Sequence, residues 1–350
     1  VNLDSQPGGG TAYISGSGTV GFNQNVRGAG NLGANNTVFI NNAVITADIA
    51  GRSLDIDPAN AGANPGFVNN GTLRAAGGEI VFTGKGAGFM GGSGLIDIAA
   101  NGTFTATTNA TATLGPVINA GVLNATTSAD VTVQRFRGAG AVNVSNYATL
   151  RLAAGGGTAG TSTTSALSLT SNGRLDLANH ELAIDYTGPS PIASIRPLLL
   201  TGFNSGAWNG VGVASSAAAA STPDKTGIGY AEASQVYGAF PADFSGVAVD
   251  NTTVLLRYTL MGDANFDRQV NIADFARLAA AFNAPGAWID GDFNYDGTVA
   301  IGDFSLLAAN FNKALSTAAL DRSAAVPEPV AALATAGCLI GLLVARRRTP

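Results

Sequence analysis

Eleven oxygen-bearing residues form a double pattern near the end of this 350-residue chain. Asp263, Asn265, Asp267, Gln269, Asn271 and Asp274 stand at positions 1, 3, 5, 7, 9 and 12 of one twelve-residue stretch. Asp292, Asn294, Asp296, Thr298 and Asp303 stand at positions 1, 3, 5, 7 and 12 of a second, 29 residues further on. That spacing wraps a loop around a hard cation, with side-chain oxygens at 1, 3, 5 and 12, a main-chain carbonyl at 7 and often a water at 9. The pattern predicts two calcium ions. A pair of acidic turns without metal is the competing reading. Against it, seven of the chain's 23 acids fall between 263 and 303, six of them at ligand positions. Val270 and Val299, at position 8, are expected to pair the two loops. Behind each loop an apolar face recurs at helical spacing: Phe275, Leu278, Ala279 and Phe282, then Phe304, Leu307, Ala308 and Phe311. These predict two short helices that pack face to face and bury the Phe and Leu side chains.

The two copies share 13 identities over 22 aligned positions. The Gly262–Phe275 and Gly291–Phe304 segments resemble the duplicated loop–helix of the dockerin type I family. The resemblance implies calcium binding and Asp at position 12. Three departures stand out. Arg268 occupies the sixth position, usually Gly. Ala300 offers no ligand at position 9 of the second loop. Ile272, Ala273, Ile301 and Gly302 occupy positions 10 and 11, where dockerins carry small polar residues that help read a cohesin, which speaks against a standard cohesin partner. The alternative is packing against the module's own chain.

A second motif ends the sequence. Pro327, Glu328 and Pro329 precede an apolar run of 16 residues, 330–345, followed by Arg346, Arg347 and Arg348. A helix of 16 residues rises about 24 Å, short of a bilayer core of about 30 Å. Arginines favour the cytoplasmic side, which places the preceding residues outside the cytoplasm. The tail resembles the PEP-CTERM sorting signal of exopolysaccharide-producing Gram-negative bacteria. That resemblance implies processing by an exosortase and export to the outer surface, with transient membrane anchoring by the C-terminal helix. A plain tail anchor is the alternative.

What positions these motifs is a long, sparsely charged body. Charged residues are 12% of the chain, and glycine contributes 47 residues. Residues 1–187 alternate apolar and polar residues in short runs between Gly/Asn/Ala turns, as strands do. Val68–Ala75 and Ile118–Ala125 share one apolar-Asn-x-Gly-x-Leu-x-Ala motif. Gly94–Ile98 with Thr103 and Phe104 resembles Gly140–Val144 with Thr149 and Leu150. Such self-similarity predicts a right-handed β-solenoid, parallel β-helix-like, with a β-sandwich of Gly-rich hairpins as the other arrangement. The segment resembles autotransporter passenger repeats. Residues 188–261, with strand-like Ile195–Leu200 and Thr253–Leu260, are expected to form a β-rich cap, with Trp208, Tyr230 and Tyr237 packed inside it. A small α calcium-loop module at 262–315, a linker at 316–326 and a C-terminal hydrophobic helix within 327–350 complete a mainly β chain, similar as a whole to planctomycete-type secreted surface proteins. Val1 in place of Met suits a processed product or a fragment.

The net charge of −5 and the lack of a basic patch outside Arg346–Arg348 exclude nucleic-acid binding as an expectation. One Cys, Cys338, and one His, His180, leave no disulfide within the chain and no CxxC zinc site. Glycoside hydrolysis needs two opposed carboxylates. Asp55 with Asp57, and Asp176, Glu181 and Asp185 near His180, are the available groups, none in a recognisable motif. Arg135 and Arg137 beside Phe136 could face an anionic glycan. Two functions follow as expectations: a non-catalytic calcium-binding surface or matrix protein linked to exopolysaccharide, or a secreted carbohydrate-active enzyme on a β-helix.

Overall fold

The computed structural model describes residues 1–3, 12–84, 88–155 and 160–315. The linker and sorting-signal expectations at 316–350, including Pro327, Glu328, Pro329 and Arg346–Arg348, lie outside the described residues. Among the described residues no helix is long and apolar enough to cross a membrane.

The chain is mainly β. Its body is a parallel β-solenoid of about seven turns, with three sheets of seven, eight and nine strands as its faces. Successive turns stack in register, as in Thr103↔Val122↔Ala141, each a step of 19 residues. Other turns are longer: Ala141↔Ala166 is a step of 25. Alternate side chains point inward and are buried, as Leu123 and Ala125, Val131 and Val133, and Val142 and Val144 show. A parallel strand cannot bury one face alone, so each turn depends on its neighbours for a core.

The repeated motif marks a corner of this prism rather than one face. Strand Thr72–Ala75 belongs to the seven-stranded face, whereas its motif partner Val122–Ala125 belongs to the eight-stranded one. Leu95–Ile98 and Ala141–Val144 are displaced in the same way. The conserved part of each copy is the turn. Asn69 and Asn119 are buried there and donate to the carbonyls of Leu95 and Ala141 on the next turn.

The stack runs past residue 187. Its last rung on the nine-stranded face is Gly212–Ala214, parallel to Arg174–Asp176. Between them Ile192–Phe203 is a helix, against the strand-like reading of Ile195–Leu200. Its buried residues Ile195, Leu199, Gly202 and Phe203 fall at helical spacing, which outweighs the missing N–H of Pro197 inside it. Thr253–Leu260 is a strand, buried along its whole length. It lies antiparallel between Leu182–Asp185 and Thr226–Glu232 in a four-stranded sheet that closes the end of the stack. Such a lid is physically required, because a bare solenoid end exposes unpaired backbone and apolar core. Trp208 and Tyr230 are buried in it; Tyr237 is half-buried and donates to the carbonyl of Asp243.

Residues 262–315 pack onto the outside of this lid. Two helices, Ile272–Ala281 and Ile301–Asn310, follow the two acidic loops. The halves are exchanged about a pseudo-twofold. Gln269–Val270 pairs with Lys313–Ala314, behind the second helix. Val299 receives a bond from Asn283 N–H and donates to the Ala284 carbonyl, behind the first helix. The expected pairing of Val270 with Val299 therefore does not form; their backbones are engaged with these return segments, and both side chains are buried. Gly262, which opens loop 1, lies against Leu307 so closely that a β-carbon would come within 2.9 Å of its Cα. Gly291, opening loop 2, meets Leu278 at the same distance. Leu278 and Leu307 are thus buried by the opposite half. Phe275 and Phe304 meet edge to face at 6.2 Å, but Phe275 is only half-buried and Phe304, Phe282 and Phe311 are exposed, contrary to the expected burial of all four. Ile272 and Ile301 are each 68% exposed.

Candidate metal centre

Loop 1 spans 263–274 and loop 2 spans 292–303. In each, the first and last carboxylates are fully buried: Asp263 and Asp274, Asp292 and Asp303. The middle acids Asp267 and Asp296 are exposed; Asn265 and Asn294 are intermediate. The last Asp of each loop caps the helix that follows. Asp274 Oδ2 accepts from Asn271 N–H at 2.8 Å and its Oδ1 from Ala264 and Asn265. Asp303 repeats this with Ala300, Phe293 and Asn294. The middle of each loop is a run of side-chain-to-backbone turns: Asn265 Oδ1 accepts from Asp267 N–H, and Asp267 Oδ1 from Gln269 N–H. Asn294, Asp296 and Thr298 form the same chain. Asn271 Oδ1 accepts from Ala273 N–H, a helix-start role. Gln269 and Thr298 are exposed at the seventh positions.

The first carboxylates differ: Asp263 accepts from Thr259 Oγ1, Asp267 N–H and Arg268 N–H, whereas Asp292 accepts from Gly297 N–H alone. Burial pushes Asp263 up to about 7, against the pull of bonds from Thr259 and the Arg268 N–H; Asp274 and Asp267 add to the rise. Burial also pushes Asp292 up to about 7, with Asp303 and Asp296 adding to it. Asp274 and Asp303 are raised as well, mainly by burial. Asp292 Oδ2 accepts from Gly297 N–H, whereas its buried Oδ1 has no hydrogen-bond partner. Among the described residues no three acid, His or Cys side chains are gathered as a preformed cluster. Each loop instead offers two buried carboxylates with Asn and exposed Asp oxygens beside them. An orphaned anionic oxygen beside a second buried carboxylate fits a divalent cation and is costly without one. In loop 1 these would be Asp263, Asn265, Asp267, Gln269, Asn271 and Asp274; in loop 2 Asp292, Asn294, Asp296, Thr298 and Asp303. Bound calcium would supply a compact double positive charge among them.

The loops do not stand free. Tyr295, fourth in loop 2, is fully buried and its hydroxyl donates to the Ile228 carbonyl at 3.0 Å and receives Ile228 N–H at 3.3 Å. It sits among Phe203, Trp208, Tyr230 and Trp288, with ring centroids 5.4–6.3 Å away. Trp288 Nε1 donates to the Asp263 carbonyl at 2.7 Å. Asn310 donates to the carbonyls of Lys225 and Met261. Arg196 Nη1 donates to the Tyr295 carbonyl. Thr259 Oγ1 donates to Asp263 Oδ2 at 2.5 Å. None of these individual anchors was expected from sequence; the visible signal was the apolar residues at positions 10 and 11, which pointed to packing against the module's own chain.

Of the other acid groups, Asp176 and Glu181 are engaged in structure, whereas Asp185 is exposed. Asp176 is buried and paired with Arg151 at 3.3 Å. Glu181 is paired with Arg257 and Arg268. His180 is buried, its Nδ1 2.8 Å from the Gly160 carbonyl and its Nε2 2.5 Å from that of Ala153. Arg137 Nε donates to the Thr161 carbonyl.

Fold and site together define a parallel β-solenoid whose end is closed by a mixed sheet carrying two acidic loop–helix units. No protein-family model, curated protein or solved structure matches the chain.

Proposed function

We propose that this chain is an exported, calcium-binding protein of the cell surface or extracellular matrix, with a structural or adhesive role linked to exopolysaccharide. The observation that carries calcium is the buried first carboxylate of each loop, one of them with an oxygen that no group in the fold satisfies. Two ions are expected, one per loop. The likeness of the loops to dockerin type I repeats supports the same assignment.

The module is read here as a built-in end cap rather than a free recognition unit. Its loops are anchored to the lid by Tyr295, Trp288 and Asn310. Ile272 and Ile301 stand exposed where the family reads a cohesin with polar residues. Export, passage through the membrane by the apolar run 330–345 and trimming by an exosortase-type enzyme rest on the Pro327-Glu328-Pro329 and Arg346–Arg348 motif alone. The non-catalytic reading is supported by Asp176 and His180, which hold neighbouring turns together, and by Glu181, which is tied to the lid strand and loop 1.

The test has two arms. Calorimetric titration of the purified chain should give about two calcium sites. The calcium-loaded chain, applied to a panel of acidic and neutral polysaccharides, should be retained without releasing reducing or unsaturated ends. Release of such ends would replace this reading with the enzyme.

A further inference from the structure

Glycine is usual at the sixth position of a cation loop because the backbone there enters the left-handed region, where a β-carbon is strained. Loop 2 has Gly297, at φ +93°. Loop 1 has Arg268, at φ +66°. Something must hold an arginine in that conformation, and the structure shows what. Arg268 N–H donates to Asp263 Oδ2 at 2.9 Å, so the residue touches the first acid of the loop. Its guanidinium then leaves the loop and donates from Nη2 to Glu181 Oε1 at 2.7 Å and to Ser245 Oγ at 2.8 Å.

Glu181 is buried, one residue before strand Leu182–Asp185 of the closing sheet. The same Oε1 accepts from Arg257 Nε at 2.9 Å. Arg257 belongs to the central lid strand Thr253–Leu260, and its Nη1 donates to the carbonyl of Phe266 in loop 1. One buried carboxylate therefore holds two guanidiniums, and each is also bonded to the loop or carried by it. Glu181 Oε2 and Arg268 Nε are buried without partners, so the cluster is incompletely satisfied and all of its carboxylate bonds fall on one oxygen. Loop 2 is held differently: Arg196 lies against Gly297 and donates to the Tyr295 carbonyl.

We propose that Glu181, acting through Arg268 and Arg257, is a positioning residue that couples calcium binding in loop 1 to closure of the solenoid end. This rests on the calcium reading above. Ordering of loop 1 by the cation fixes Asp263, the Arg268 backbone and the Phe266 carbonyl together. Without the cation, nothing draws the oxygens of Asp263, Asp267 and Asp274 together, so the loop loosens, and the Glu181 cluster loosens with it. Linkage makes the effect reciprocal: what steadies the closing sheet must tighten loop 1 toward calcium by the same factor. Removing the Glu181 charge also leaves two guanidiniums uncompensated beside the cation site.

The test uses the full chain, with calcium titrated by calorimetry and amide exchange followed with calcium and with chelator. In the wild type, chelation should speed exchange in Leu182–Asp185 and Thr253–Leu260 as well as in both loops. Glu181→Gln should weaken one of the two calcium sites by about tenfold, within the usual range of such couplings, and leave the other unchanged. Arg268→Gly keeps every ligand side chain and relieves the left-handed strain. It should still bind two ions, yet chelation should change exchange at Leu182–Asp185 clearly less than in the wild type, the Arg257 link to Phe266 being the only one left. Arg268→Lys, which keeps a cation near Glu181, should retain part of the effect. Two bound ions with no response at Leu182–Asp185 in the wild type, or an undiminished response in Arg268→Gly, would overturn the coupling alone. No calcium uptake by the wild type would overturn the calcium reading and the coupling with it. Should Glu181→Gln fail to fold, Arg268→Gly decides.

Discussion

Tyr295→Phe removes one oxygen atom at the junction between the loops and the lid. Strand Thr226–Glu232 is an outer strand of the closing sheet, paired on one side by Thr253–Leu260. On its other side the N–H and C=O of Ile228 both bond to the Tyr295 hydroxyl. Phenylalanine keeps the ring among Phe203, Trp208 and Trp288 but leaves both backbone groups buried without partners. Each such group costs about 1–3 kcal/mol, and the longer 3.3 Å bond from Ile228 N–H is the weaker. The expected loss is therefore about 2–3 kcal/mol. Both tryptophans of the chain, Trp208 and Trp288, flank this ring, so urea unfolding followed by tryptophan fluorescence reports on this junction directly. The midpoint should fall with the slope unchanged, and calcium stoichiometry should stay the same because no ligand oxygen is altered. A loss below about 0.5 kcal/mol would show that ring packing alone holds the junction and that the edge backbone needs no partner.

Other outcomes follow from the same contacts. Asp263→Ala combined with Asp292→Ala should abolish calcium uptake in both loops by calorimetry; unchanged binding would remove these residues from the ligand set. In chelator, stability should fall as pH rises from about 4 to about 7. Burial holds Asp263 and Asp292 protonated up to about 7 in the folded chain, whereas the unfolded chain has already released those protons. Thermal melts across that window check the sign, and calcium affinity should rise over the same range as protons cease to compete. Gly229→Ala would place a β-carbon 2.8 Å from Trp288 Nε1, dislodging the indole from the Asp263 carbonyl. About 1–3 kcal/mol should be lost, measured by denaturant unfolding; an unchanged midpoint would mean that the indole yields freely.

Much of this architecture can be read from local chemistry. Alternation in segments such as Asp130–Val133 names strands, and Asp or Asn spaced by two residues marks the two acidic turns before the helices, because both patterns are written within a dozen residues. The face on which each strand lies cannot be read this way. The corner carrying Asn69-Asn70-Gly71 is built like that carrying Asn119-Ala120-Gly121, so like sequences mark like turns on different faces. The helix Ile192–Phe203 is obscured by Pro191 and Pro197, although Ile195, Leu199 and Phe203 keep its period. The pairing of each loop with the return segment behind the other helix depends on the exchange of halves, which no single loop encodes. Glu181 lies 87 residues from Arg268, and only folding of the whole stack brings them together.

The small ladder between Gln269–Val270 and Lys313–Ala314 has a consequence for how tension enters the molecule. Asn312 N–H donates to the Val270 carbonyl and Leu315 N–H to that of Arg268, both at 2.8 Å. The chain therefore continues toward residue 316 directly from the back of loop 1. Any tether attached beyond that point pulls first on these few bonds and the loop they grip, and only afterwards on the long stack of parallel strands. Under such a load loop 1 is the part expected to yield first. With calcium in the loop, the load at which the tether gives way should track the calcium concentration of the surroundings.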